Sequence, residues 1–298
     1  MKFLRIFSII IMASFAQSAL ADTDSACVRN GSGAIIVATA ADIVTDVNGN
    51  RGTSCKEAPD FYKITFYRFG MCKSNPLLNA INDFSSCSYL VDSNAGVEHV
   101  ITYPASGILE TNSSIVPGTY NYLLLMLSNS LEQKHTETFS TTMTGATGTG
   151  TKCWTIDKST AFGGNAITGT VTVSPDPNTR STLAIDCGAT AAPAYTTEIF
   201  ETMGGCGSEP CFGASDIESG RFHIELLKSD NVTIATTATN AVRMAVVMPL
   251  VKVITSASAY DVGFKVNGST SFDLHTDGSS LTALKVGADP FQVTFNVK

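Results

Sequence analysis

The chain has 298 residues, a formal charge of −7 and only 15% charged residues, against about a quarter in an ordinary soluble protein. This acidic balance excludes nucleic acid and anionic membrane surfaces as partners, since both require a basic footprint. A soluble chain so poor in charge has to cover its surface with Thr, Ser, Asn and Gly.

The first residues carry Lys2 and Arg5, then an apolar run from Ile6 to Phe15 broken by Ser8 and Ser14, then Ala19-Leu20-Ala21. This is the layout of a secretory signal peptide, expected over residues 1–21. The apolar run is too short for a membrane helix, and no second span is expected in the mature chain. Removing the leader takes away two positive charges and no acids, so the charge moves from −7 to −9. Cys27 follows Asp24-Ser25-Ala26, which is not a lipoprotein junction.

The mature chain reads as all-β: an antiparallel β-sandwich, one large or two packed, stapled by disulfides. Apolar residues recur mostly with period 2, with turn dipeptides between the runs. The apolar segment from Gly33 to Val44 has two readings. It is the first strand of its own domain, or a strand donated to a neighbour's open edge through Ile35, Val37 and Ile43. Asp46, Asn48 and Asn50, with Glu57 at the twelfth place, echo a calcium loop, and calcium is the one cofactor the sequence suggests. Arg51 occupies the position that such a loop reserves for glycine, and a turn around Asn48-Gly49 explains the same residues.

Tyr62, Ile64 and Phe66 form one face of a strand, with Tyr67 and Phe69 on the other. Pro76 to Phe84 suits a turn of helix carrying Leu77, Leu78 and Ile81. Pro117-Gly118-Thr119 leads into the continuous apolar run from Tyr120 to Leu127, the mark of a central strand covered on both faces. Thr141 to Thr151 is the most linker-like stretch, and a soft boundary there separates an N-terminal sandwich, 22–145, from a C-terminal β domain with a cysteine-rich insertion, 146–298.

Beyond it stands Trp154, the sole tryptophan. It is a candidate aromatic platform for a glycan, although a lone tryptophan beside a disulfide is usually core packing against sulfur. Phe222, Ile224 and Leu226 alternate with His223 and Glu225. Val242 to Ile254 is a further strand, marked at Pro249 by an edge or a break. Around Asn267-Gly268 the alternation suggests a hairpin with the loop Asn267-Gly268-Ser269, which pairs Phe264 with Phe272 and Val262 with Leu274. Asp273, His275 and Asp277 share one face of that strand and are weak candidates for a cation; a solvated face accounts for them as well. Phe291, Val293, Phe295 and Val297 alternate in a closing strand.

All eight cysteines lie beyond the leader, and an even count in an exported chain reads as disulfides. The simplest pairing joins neighbours in sequence: Cys27 with Cys55, Cys72 with Cys87, Cys153 with Cys187, and Cys206 with Cys211. Zinc usually shows paired C-x-x-C spacings, which are missing.

The run Tyr62 to Tyr67 leading into Met71-Cys72, then Cys87, then Pro117-Gly118-Thr119-Tyr120 before an apolar strand, resembles exported bacterial β-sandwich surface proteins. The likeness covers about the first half of the mature chain, implies a surface or extracellular sandwich, and carries no catalytic residue across. His99, His135, His223 and His275 are scattered, with no H-E-x-x-H, and no nucleophile elbow or phosphate loop is present. The expectation is therefore a non-enzymatic structural or cell-surface protein, a fibre, pilus-like or coat subunit that associates with itself or with other surface proteins through strands. The alternative is an adhesive or carbohydrate-binding module.

Overall fold

A computed structural model describes residues 26–37, 44–45, 51–52, 54–77, 81–104, 107–108, 114–161, 184–202, 212–215, 222–276, 281–289 and 291–297. These form twenty strands and one turn of 3-10 helix, Ala238–Asn240. None of their helices is long and apolar enough to cross a membrane.

The largest sheet grows from β4 (Phe61–Cys72). On one side of β4 lies β5 (Cys87–Thr102); on the other run β7 (Gly118–Ser128) and β8 (Ser130–Lys134) in succession. Beyond β7 come β16 (Arg243–Ile254), β15 (His223–Leu227) and β14 (Gly213–Ser215). Beyond β8 come β13 (Thr196–Ile199) and, parallel to it, β11 (Ser159–Ala161). The sheet therefore forks at Asn129. Its side-chain amide donates to Phe200 O and Ala241 O at 2.9 and 2.7 Å, satisfying carbonyls on both branches at a place where burial would otherwise leave them unpaired.

Three three-stranded sheets lie beside it among the described residues. One holds β6 (Gly107–Ile108), β17 (Tyr260–Lys265) and β20 (Gln292–Val297); another holds β9 (Thr136–Thr144), β10 (Thr149–Thr155) and β12 (Ile185–Gly188). The third holds β3 (Ser54–Glu57), β18 (Thr270–Thr276) and β19 (Leu281–Ala288). A separate pair joins β1 (Val44–Thr45) to β2 (Arg51–Gly52).

Period-2 burial assembles these sheets into two sandwiches. Tyr62, Ile64 and Phe66 of β4 and Leu123, Leu125 and Leu127 of β7 face Phe264, Phe291 and Phe295 of the β6-β17-β20 side. In the second core, Phe139, Met143, Cys153 and Ile185 face Cys55, Phe272, Leu284 and Val286. The other face of β7, Leu124 and Met126, meets Leu77 with Phe84 and Tyr89. Burial on both faces explains why this strand is apolar throughout.

The chain laces the two sandwiches together. It passes between them at 58–60 and 135, at 156–158 and 189–195, and at 266–269, with 289 and 291 beside the last of these passages. Polar side chains collect at these passages because the backbone there leaves its ladders and needs other partners. Tyr62 OH donates to Asp289 O at 2.8 Å, Asp289 N to Ser269 O at 3.0 Å, and Thr270 Oγ1 to Gln133 Oε1.

Several expectations meet a different outcome. The segment around Asn267-Gly268 is not a hairpin. β17 pairs with β20 and β6, while β18 pairs with β19 and β3, so Phe264 lies opposite Val293 and Phe272 opposite Val286. Ser269 N donates to Val266 O, and Gly268 alone of the two turn residues has positive φ, 77°. That is a type II turn, which splays its flanking strands instead of pairing them.

The stretch that composition reads as a linker is the β9-β10 hairpin. Its glycines serve close approach: a Cβ on Gly145 would stand 2.5 Å from Asp186 Cα. Position 145/146 lies in that hairpin turn, and the ladders β7-β16, β6-β17 and β3-β18 join residues on its two sides. Residues 76–77 and 81–84 are turn and coil where a helical turn was expected; Leu78 lies outside the described residues. At Pro249 the strand continues, but a bulge follows and the β15 ladder has ended two residues earlier, at Val247.

Candidate functional site

Three of the four expected disulfides are present: Cys27–Cys55, Cys72–Cys87 and Cys153–Cys187. The last two link residues directly opposite in their ladders. Cys206 and Cys211 lie outside the described residues, as do Asp46, Asn48, Asn50, Ile43 and Asp277. Asp273 and His275 occupy positions on β18 opposite Lys285 and Ala283. Trp154 is 8% exposed, with its ring against Gly188. It lies on the face of β10 opposite to Cys153, so it packs on backbone instead of sulfur and offers little surface to a sugar.

The first described segment is a strap across one side of the second sandwich. Ala26 bridges Lys56, Cys27 is bonded to Cys55, and Ile35 bridges Phe139 in parallel. Ile35 is fully buried and Val37 packs against the same core, its N–H donating to Ser140 Oγ at 2.9 Å. In this chain, then, the described part of the segment that could be donated, residues 33–37, lies beside its own β9.

An ionic clasp holds the strap. Arg29 donates to both oxygens of Glu137, at 3.0 and 2.5 Å, and lies 3.0 Å from Glu57 Oε1. Behind Glu137 sits buried His135, with Nε2 3.6 Å from Glu137 Oε2 and Nδ1 3.6 Å from Asp60 Oδ2. Burial alone would raise Glu137, yet His135 and Arg29 outweigh it and hold the carboxyl at about 2. Burial alone would lower His135, yet Asp60 and Glu137 raise it to about 9. The Asp60 amide, 3.2 Å from Nδ1, asks that nitrogen to accept; the two flanking carboxylates favour its proton more strongly.

A pH dependence follows. Glu137 ordinarily titrates near 4.5, so its contribution is present above that pH and fades as pH falls towards 2. His135 ordinarily titrates near 6.5, so its contribution is complete below that pH and is lost as pH rises through about 9. Asp60, also lowered against its burial by His135, adds to the acid limb; Glu57, raised by burial, subtracts from it. The clasp is therefore strongest between pH 4.5 and 6.5. Urea midpoints measured against pH should fall on both sides of this window. Glu137→Gln should flatten the acid limb and His135→Gln the alkaline one; unchanged limbs in both variants would contradict the assignment.

The second feature is an open edge. β5 pairs with β4 and, among the described residues, with no other strand. Residues 93–96 bulge out, with Gly96 at φ 84°, and leave 97–102 as a regular stretch. Along it Val97, Val100 and Tyr103 are 41, 43 and 44% exposed. Glu98 and Pro104 guard parts of this edge, as charge and proline commonly do, but the outward backbone groups between them have no strand partner among the described residues and offer a template for one.

Sequence reasoning missed both features. The clasp depends on links between residues 75 and 108 positions apart, and the edge shows itself only once β4 is known to be covered on its other side. No protein-family model, curated protein or solved structure matches this chain.

Proposed function

We propose that this chain is an exported structural subunit of an extracellular or cell-surface layer, joined to its neighbours through strand edges. The observation that carries this reading is the stretch of β5 from 97 to 102, regular in backbone, open on one side among the described residues, and carrying exposed Val97 and Val100 with Tyr103 just beyond. The leader-like start and the resemblance of its first half to exported β-sandwich surface proteins support export. Three disulfides suit an oxidising compartment, and two laced cores suit a protein that must persist outside the cell.

Electron microscopy of material purified from the native cell surface tests the reading. Ordered polymers or a continuous layer are expected, together with a detergent-resistant ladder on gels. Dispersed monomers at high concentration would refute it.

A further inference from the structure

We infer that the β5 edge pairs with the β5 edge of a second copy, antiparallel about a two-fold axis at Val100. This deepens the assembly reading and rests on it. Tyr103 N donates to Asp60 O, so in an antiparallel ladder the backbone groups of 97, 99, 101 and 103 point towards β4. Those of Glu98, Val100 and Thr102 then point out of the sheet. A two-fold axis at an outward residue makes that residue a hydrogen-bonded pair with its own copy. Val100 would exchange two bonds with the partner's Val100, and Glu98 and Thr102 would exchange two with the partner's Thr102 and Glu98 on each side.

The side chains select this register over its neighbours. With the axis at Val100, the exposed residues match one another: Val100 meets its own copy, and Val97 meets the partner's Tyr103. All three exposed apolar groups of the edge are thereby covered at once. Glu98, whose carboxylate lies 3.5 Å from Lys63 across the ladder, meets the partner's Thr102. An axis at Glu98 would oppose two carboxylates, and one at His99 would set Glu98 against the partner's Val100. Axes at Ile101 or Thr102 bring Pro104, which has no N–H, into an outward hydrogen-bonding position. The contact closes on itself and so yields a dimer in which the two large sheets become one; that dimer is the building block of the layer, whose growth uses other surfaces.

Sedimentation equilibrium of the oxidised full chain tests the pairing. Val100→Pro removes the two central bonds while sparing the β4 ladder, because this N–H points away from β4. It should weaken dimerisation about 30-fold with an unchanged circular-dichroism spectrum. Val100→Lys, which sets two ammonium groups against each other beside Lys63, should also give monomers. Val251→Lys, at a 70% exposed position on β16, should leave the dimer intact. A wild-type monomer at about 100 µM, or a dimer that survives both changes at Val100, overturns the pairing. Polymers formed by Val100→Pro chains would sink this contact alone and leave the wider assembly reading standing.

Discussion

Replacing Cys153 and Cys187 together by alanine is expected to lower the unfolding free energy by about 4 kcal/mol, the loop-closure entropy of a link across 34 positions. The corresponding loss for Cys72 and Cys87, 15 positions apart, is about 3 kcal/mol. Both sulfurs of the longer link are buried in the second core beside Phe139 and Ile185, so little compensating relaxation is available. This core is the smaller of the two sandwiches and holds two of the disulfides, Cys27–Cys55 and Cys153–Cys187. Urea unfolding of the double variant should show a lower midpoint with a slope at least as steep, because the denatured chain without the link is more expanded. A loss below about 1 kcal/mol would mean that the β10-β12 ladder closes the loop without help from sulfur.

The second large effect concerns two phenylalanines eight positions apart that belong to different cores. Phe264 packs against Phe66, with ring centroids 5.1 Å apart, and against Phe291 at 5.7 Å. Phe272 packs against Phe139 at 5.5 Å and His135 at 5.6 Å. Both are fully buried, and either change to alanine should cost about 4 kcal/mol. Since the two rings belong to separate cores among the described residues, the double variant should lose the sum within about 0.5 kcal/mol. A hairpin pairing Phe264 with Phe272 would instead couple them by about 1 kcal/mol or more. The cycle therefore separates the passage between sandwiches from the hairpin that alternation alone suggests.

What alternation can and cannot report explains how much was legible in the sequence. The closing strand is plain because Phe291 and Phe295 are buried while Gln292 and Asn296 face water. Tyr120 to Leu127 is plain because a strand covered on both faces has nothing polar to show. Between Phe264 and Phe272, however, alternation reports that each is buried without saying in which core. The Asn-Gly step suits a hairpin or a splayed type II turn, and only the positive φ confined to Gly268 decides between them.

Composition misleads in a similar way at Thr141 to Thr151. Glycine and threonine mark a segment surrounded by water or one pressed against another backbone, and here Asp186 lies against the hairpin. Its carboxylate accepts from Thr147 and Gly148 at 2.5 to 2.9 Å. Trp154 shows the same limit, since neighbours in a strand face opposite ways and adjacency to Cys153 is no guide to contact. The clasp of Arg29, Glu57, Asp60, His135 and Glu137 had no local signal at all. Its members come from the strap, β3, β9 and the passages beside β4, and they meet only because the chain crosses between sandwiches where it does.

Peptide mapping of the unreduced chain by mass spectrometry tests the central claim, that sulfur bridges lock two interlaced sandwiches. Cross-linked peptides joining Cys27 to Cys55, Cys72 to Cys87 and Cys153 to Cys187 are expected, with none of these six thiols free to react with an alkylating reagent. Free thiols at these positions, or a bridge joining either member of one pair to another pair, would contradict the architecture described here.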